Sequence, residues 1–210
     1  MTHSLHRFGD LEDLKNDYIV MAMPSKGTTE IGAAPKIQKH LTICNKYDPV
    51  CLGGQKVGNS CILSFEELIG NAQDIVSSYS GVFCDKETVR EVLREEIEQN
   101  VGLSIVISGV YSETVDIANQ LGIKPHTVNF SLGIWGKKEL LPKPEVLEIT
   151  TMCGHGIVSR HLVEYFFERV KNGYSAKEAA KRIGSLCYCS ICNIARIEAI
   201  LEKGLGQDEA

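Results

Sequence analysis

Short apolar runs that alternate with amphipathic segments constrain the fold of this chain more than any other feature. Residues 18–23 and 103–108 are short and largely apolar, which is typical of buried strands. Segments with apolar residues at helical spacing lie between such runs, as in 87–99, where Asp85 is placed to cap a helix. This alternation predicts an α/β fold with a mixed or parallel sheet and flanking helices.

Two further strands are predicted from weaker patterns. Residues 127–134 alternate between apolar and polar side chains, as expected of a half-buried strand. Residues 145–151 follow a proline-containing connector, and we interpret them as a strand that ends just before Cys153. The sequence from Cys153 to Gly156 then predicts a turn that leads from this strand into a helix.

The last part of the chain is predicted to contain helices without strands between them. They cover about residues 158–171, 175–185 and 193–203. The pattern divides the chain into an α/β core over 1–150 and a strand-end turn with a C-terminal helical appendage over 151–210. This appendage carries a cysteine-rich turn, and we expect it to pack with the core as one domain.

Charge and hydropathy exclude several classes of function. The 210 residues include 22 Lys and Arg against 27 Asp and Glu, which gives a net charge of −5. This balance disfavours binding to nucleic acid or to an anionic membrane surface. No apolar run reaches the roughly 18 residues that a membrane-spanning helix needs, and the first residues do not resemble a secretory signal. We therefore expect a cytoplasmic protein, and a homo-oligomer is compatible with the sequence.

Eight cysteines are the outlier of the composition. Thiols stay reduced in the cytoplasm, so this number favours metal binding over a disulfide framework. We interpret Cys44 and Cys84 as small buried core residues, because free cysteine is among the most buried residue types. Cys51 and Cys61 lie in an irregular stretch, and the sequence assigns them no role.

The C-x-C-x-x-C pattern of Cys187, Cys189 and Cys192 lies between two predicted helices. A turn of this kind can direct closely spaced sulfurs toward one metal centre. Cys153 is the candidate fourth ligand, because ligands of α/β proteins commonly bind where strands end. The glycines on both sides of His155 allow a bulky group to approach the backbone there.

The identity of the metal group follows from the types of ligand. One C-x-x-C pair within an all-sulfur set favours a [4Fe–4S] iron-sulfur cluster. Zinc sites more often combine two such pairs, so zinc is the alternative. A redox-active set of thiols without a metal is a further interpretation of the same pattern.

Two candidate catalytic residues accompany the cysteines. His155 is placed to transfer protons or to act as a ligand, and the alternative is a turn residue whose imidazole is satisfied locally. Arg196 lies four residues after Cys192, on the same face of the last predicted helix. It is placed to donate to a cluster sulfur or to hold a substrate carboxylate, whereas the alternative is a salt bridge on the helix surface.

Three polar residues are candidates for binding a substrate or an anion. Lys26 and Thr28 belong to a loop between the first strand and the first long helix, which suits a phosphate or carboxylate. Asn129 lies on the polar face of the predicted strand 127–134, where it would line a pocket. An ordinary turn and a solvated strand face explain the same residues.

Two hypotheses of function follow. The first is a metal-binding enzyme, with a cysteine-ligated [4Fe–4S] cluster and a small polar or anionic substrate. Its reaction would be a lyase-type elimination or hydration, or a sulfur transfer. The second is a non-enzymatic protein that binds zinc or an iron-sulfur cluster and serves as a structural, sensor or carrier subunit.

Overall fold

A five-stranded antiparallel sheet forms the centre of the fold. The structure, a computed structural model, describes residues 3–205. The spatial order of the strands is β3-β2-β4-β1-β5, and every neighbouring pair is antiparallel. In chain order the strands are β1 (Tyr18–Met23), β2 (Cys51–Gly54), β3 (Gly58–Asn59), β4 (Tyr79–Phe83) and β5 (Ser104–Ser108).

Nine α-helices flank this sheet in the described part of the chain. None of them combines the length and the apolar character that crossing a lipid bilayer requires. Two short 3-10 helices, at His3–His6 and Lys138–Leu140, complete the regular structure. The α-helices are α1 (Leu11–Leu14), α2 (Ala34–Lys46), α3 (Phe65–Gly70), α4 (Lys86–Glu98), α5 (Tyr111–Gln120), α6 (Pro144–Thr150), α7 (Arg160–Lys171), α8 (Ala176–Ser185) and α9 (Ile194–Lys203).

The sheet is built from two interlocked split β-α-β units. Strands β1 and β2 run in the same direction, and β4 lies between them. Strands β4 and β5 likewise run in one direction with β1 between them. Val20 at the centre of β1 therefore stands opposite Gly81 of β4 on one side and Ile107 of β5 on the other.

The side chains of β1 alternate between two hydrophobic cores. Ile19 and Met21 belong to the core that the sheet forms with helices α6 to α9. Tyr18 and Val20 belong to the core that it forms with helices α2 to α5. The molecule is therefore a sandwich of three layers, with the sheet in the middle and the C-terminal helices on one of its faces.

The predicted α/β class, with flanking helices and a C-terminal helical part that carries the cysteine-rich turn, is confirmed. The sheet is antiparallel, however, and not mixed or parallel. The C-terminal helices cover the face that an antiparallel sheet often leaves to solvent, so its central strands are apolar on both faces. Continuous apolar runs of this kind do not distinguish parallel from antiparallel strands in a sequence.

Both strands that were predicted from weaker patterns are wrong. Residues 145–150 lie in α6, and Thr151 is its C-cap. Pro144 begins this helix, where a backbone N–H would have no partner within the helix. The apolar residues of α6 follow the helical period. Residues 127–134 have no strand partner within the described chain, and Phe130 is 59% exposed. Alternation alone does not create a strand when no neighbouring edge pairs with it.

Candidate metal centre

Two backbone segments bring four cysteine side chains together. The first segment follows α6. Its cysteine therefore lies after a helix, and the prediction that it follows a strand is wrong. The second is the turn between α8 and α9, which provides the other three cysteines. No member of the set is more than 1% exposed, so the centre is enclosed by protein. The four residues are Cys153, Cys187, Cys189 and Cys192.

The four thiols are electrostatic neighbours. Cys153 interacts through its sulfur with both Cys187 and Cys189. Cys187 also interacts with Cys192. The sequence-based expectation that Cys153 approaches the C-x-C-x-x-C turn is therefore met by the geometry.

His155 lies at the edge of this group, with its side chain exposed. Its Nδ1 is 2.7 Å from Sγ of Cys189 and 3.8 Å from Sγ of Cys153. Its backbone N–H donates to Sγ of Cys153 at 3.4 Å. The turn needs glycine at Gly154 and Gly156, whose φ angles of 70° and 68° are in the left-handed region.

One ligand atom from each of Cys153, His155 and Cys189 lies within 4.8 Å of the other two. Sulfur and imidazole nitrogen are ligands that zinc and iron accept. These side chains can therefore hold a metal ion, and the neighbouring sulfurs of Cys187 and Cys192 enlarge the donor set.

The pKa values of the thiols in the group are shifted in opposite directions. Hydrogen bonds from Cys187 and Cys189 lower the pKa of Cys153 far below its usual value. Hydrogen bonding to Cys153 raises the pKa of Cys187 and of Cys189. A metal ion supplies the positive charge that further thiolates need in a buried site.

The hairpin formed by β2 and β3 supports the cysteine-rich turn. The hydroxyl of Ser190 donates to the carbonyl of Gly58 at 3.0 Å. Ser190 itself has a left-handed φ of 58°. The amide nitrogen of Asn59 reaches three carbonyl oxygens of the α8 end and the turn, each at 3.4 Å. These buried polar contacts fix the turn against the sheet.

One arginine side chain joins the two cysteine segments. Nε of Arg7 donates to the carbonyl of Met152 at 3.0 Å, and a second guanidinium nitrogen donates to the carbonyl of Ile191. These carbonyls immediately precede Cys153 and Cys192 in the chain. Arg7 is thus a positioning residue that fixes the spacing between the segments.

The charge of Arg7 is balanced by Asp17, whose side chain is completely buried. The same carboxylate pairs with Nη1 of Arg196 at 3.2 Å and accepts from Nδ2 of Asn193 at 3.1 Å. Nη2 of Arg196 also donates to Glu148 at 3.3 Å. The structure thus places Arg196 in an ion-pair network within the fold, where protein acceptors take both of its terminal nitrogens.

The candidate anion-binding residues lie on exposed loops. Lys26 and Thr28 belong to the turn after β1, and the Thr28 hydroxyl donates to the Lys26 carbonyl at 3.4 Å. Asn129 lies in the exposed segment that was predicted to be a strand. Within residues 3–205, no hydrogen bond or ion pair connects these three residues to the cysteines. Their proposed contact with a substrate stays a prediction.

The residues that position the centre were missed by the sequence reasoning. Arg7, Asp17, Asn59 and Asn193 contact atoms that are far away in the chain, so no local spacing connects them. One signal was present, since Asp17 directly precedes an apolar strand. A carboxylate at the entrance to a buried strand needs a partner, and that need indicates a long-range ion pair.

A second group of ligand-type side chains lies in the other core. His40 and Cys44 are one turn apart on α2, and Glu96 approaches them from α4. Nδ1 of His40 is 2.5 Å from a Glu96 oxygen, and its Nε2 is 3.1 Å from the carbonyl oxygen of Tyr79. Burial opposes protonation of His40, but Cys44 and Glu96 outweigh burial, so the pKa of His40 lies well above 6.5.

Replacing Glu96 by glutamine should destabilise the fold by about 3–5 kcal/mol at neutral pH, because it leaves the buried His40 without its anionic partner. Because the folded state raises the His40 pKa, the wild-type contribution is complete below about pH 6.5 and is lost as pH rises through the folded pKa. Denaturant titrations of both proteins across this range provide the measurement. Glu164→Gln, which breaks the exposed pair with His161, should change stability by less than about 1 kcal/mol.

Replacing Asp17 by asparagine should cost about 3–5 kcal/mol, because two buried guanidinium groups lose their shared counter-charge. The same change should lower metal affinity, since Arg7 then no longer holds the two cysteine segments firmly. Equilibrium unfolding and competition with a metal chelator measure the two effects. Glu12→Gln removes an exposed ion pair with Lys15 and is the matched control. Equal stability of the two variants would contradict a supporting role for Asp17.

No family model, curated protein or solved structure matches this chain. The function is therefore inferred from the geometry of the site alone. The site is a buried group of cysteine sulfurs, bordered by an exposed imidazole, whose side chains can hold a metal ion.

Proposed function

We propose that the protein is a metal-thiolate protein in which four cysteines hold one tetrahedral ion, with zinc as the best fit. The observation that carries this proposal is that the ligand atoms of Cys153 and Cys189 lie within 4.8 Å of each other, with the buried thiols of Cys187 and Cys192 beside them. A zinc–sulfur bond of about 2.3 Å places tetrahedral sulfurs about 3.8 Å apart, a spacing that such a compact pair can reach. Sulfurs around a [4Fe–4S] cluster stand several ångströms farther apart.

The burial of the centre favours a structural role for the ion. Structural zinc sites are closed and have four protein ligands, whereas catalytic sites keep a position open. Here the ligands come from the segment after α6 and from the turn between α8 and α9. An ion at this place fastens the C-terminal helices to one another over the sheet. A cytoplasmic location, where thiols stay reduced, belongs to this proposal.

A [4Fe–4S] enzyme is the second candidate, and the exposure of His155 favours it. An imidazole that contacts Cys189 and faces solvent is placed to move a proton beside the centre. A cluster with an open iron supplies a Lewis acid when bound. In this candidate the substrate is small and polar or anionic, and the reaction is an elimination, a hydration or a sulfur transfer. Lys26, Thr28 and Asn129 would provide its anion contacts.

Metal analysis of anaerobically purified protein separates the two candidates. The first requires a colourless protein with about one zinc ion per chain, because four sulfurs complete one tetrahedron. The second requires a brown protein with iron and acid-labile sulfide in equal amounts. Protein that retains neither metal under reducing conditions would contradict both.

Cys189→Ser should lower metal affinity by more than about 100-fold, because it removes a ligand and not merely an outer contact. Backbone amides from about residue 186 to 203 should then exchange faster, while the strands exchange as before. Metal analysis and hydrogen exchange measure the two effects. Cys84→Ser, at a partly buried thiol outside the group, provides the control. Unchanged exchange in α9 after loss of the ion would contradict the structural role.

His155→Gln should retain the ion and the stability of the fold, because the four sulfurs already complete its coordination. For the enzyme candidate, the same variant should retain its cluster and lose about 10²–10⁴-fold in turnover. Bound metal, the unfolding midpoint and turnover are measured on one preparation. A parallel loss of metal would identify His155 as a ligand and exclude the four-cysteine tetrahedron.

A further inference from the structure

A second pair of thiols lies on the hairpin formed by β2 and β3. The strand register pairs Gly53 with Asn59 and Gly54 with Gly58. After Asn59 the chain turns, and Cys51 and Cys61 adjoin Leu52 and Ser60, which face each other across the hairpin. Both side chains lie on the side of the C-terminal helices, because Cys51 belongs to the core there and Sγ of Cys61 borders Gly184 of α8. Each thiol is the strongest electrostatic neighbour of the other.

Hydrogen bonds fix the backbone between these cysteines. The N–H of Ser60 donates to the carbonyl of Leu52 at 2.8 Å, and the N–H of Leu52 donates to the hydroxyl oxygen of Ser60 at 3.0 Å. Cys51 and Cys61 are the chain neighbours of this pair, one on β2 and one in the turn after β3. A disulfide spans Cα separations of about 4.4–6.8 Å, which suits residues on two segments held together in this way.

The two sulfurs differ in access to solvent. Cys51 is fully buried in the core beneath the C-terminal helices, whereas Cys61 is partly exposed. Sγ of Cys61 borders α8, where a side chain at Gly184 would come within 3.0 Å of it. An external reagent therefore meets Cys61 first, and Cys51 lies behind it.

The local charges favour the same order. A hydrogen bond from Cys51 lowers the pKa of Cys61, burial opposes this shift, and the charge of Lys181 adds to it. The hydrogen bond to Cys61 raises the pKa of Cys51. The accessible sulfur is thus the one whose pKa is lowered, and the second thiol lies behind it, as in a reactive cysteine with a resolving partner.

We propose that Cys51 and Cys61 form a reactive dithiol site that exchanges with small disulfides and closes to an intramolecular disulfide. The hydrogen-bonded hairpin that holds the two residues near each other, the common side of their side chains and their unequal exposure carry this inference. Neither cysteine belongs to the four-thiol group, although Cys51 lies in the same core as Cys192.

The exchange proceeds in two balanced steps. The Cys61 thiolate attacks one sulfur of an external disulfide, the external S–S bond breaks, and one thiolate leaves and takes a proton from water. Cys51 then loses its proton to water and attacks Sγ of Cys61, which expels the second external thiolate. Two electrons have passed from the cysteine pair to the external disulfide, which is reduced to two thiols.

Oxidised glutathione is the probe for this reaction. The full-length, metal-loaded protein is incubated with it, free thiols are blocked with N-ethylmaleimide, and peptides are mapped by mass spectrometry. The expected product is a single linkage between Cys51 and Cys61 with the metal retained. Linkages distributed over other cysteine pairs, or no linkage at all, would overturn the proposal.

Single substitutions test the order of the steps. Cys51→Ser should accumulate a stable mixed disulfide on Cys61, whereas Cys61→Ser should form neither product. Cys84→Ser is the control and should react as the wild type does, because Cys84 is a partly buried thiol outside the pair. A decrease in bound metal on changing Cys51 and Cys61 to serine would instead identify them as ligands and refute the dithiol.

Lys181→Gln provides a test that leaves both thiols in place. Removal of the positive charge should slow alkylation of Cys61 at a fixed pH near neutrality by about two-fold or more, because less thiolate is present. The alkylation rate of Cys84 should not change, and the unfolding midpoint should stay the same. Equal alkylation rates of Cys61 in both proteins would show that Lys181 does not activate it, and slower alkylation of Cys61 than of Cys84 would refute the reactive site.

Discussion

The negative charge of Asp17 is the interaction on which the rest of the structure depends. It lies directly before strand β1, completely buried, between the guanidinium groups of Arg7 and Arg196. A buried carboxylate without such partners is strongly unfavourable, so one charge brings the N-terminal segment and α9 to the same place. Arg7 then fixes the two backbone segments that carry the cysteines. The spacing of the metal centre is thus set by an ion pair beside it.

The enclosed character of the centre follows from the arrangement of layers. Helices α2 to α5 cover one face of the sheet, and α6 to α9 cover the other. Small residues let α8 and α9 approach closely, since a side chain at Gly184 would come within 2.1 Å of Ile194. Such close contact leaves the cysteine-rich turn between these helices directly over the β2–β3 hairpin. Two sets of thiols thereby share one core without sharing a centre.

Local patterns predicted much of the fold, and long-range pairing escaped them. Features that depend on only a few neighbouring residues were predicted correctly. They include the helix caps at Asp85 and Ser175 and the apolar run of β1. The C-x-C-x-x-C turn was equally local. Strand direction, the helix at Pro144–Thr150 and the Asp17 network depend on neighbours far away in the chain. Burial of both sheet faces hid the direction of the strands, and nothing near Asp17 identified its partners.

The ion pair between Asp17 and Arg196 joins residues that are 179 positions apart. During synthesis, strand β1 therefore emerges from the ribosome long before the cation of Arg196 that neutralises its entrance. Helices α2 to α5 can cover the first face of the sheet early, but the second face is not fully covered until α9 has been made. Pairings this far apart in the chain form slowly and leave apolar surface exposed until they form. The surface that a cellular chaperone would bind on the nascent chain is therefore the apolar face of the sheet that α9 later helps to cover.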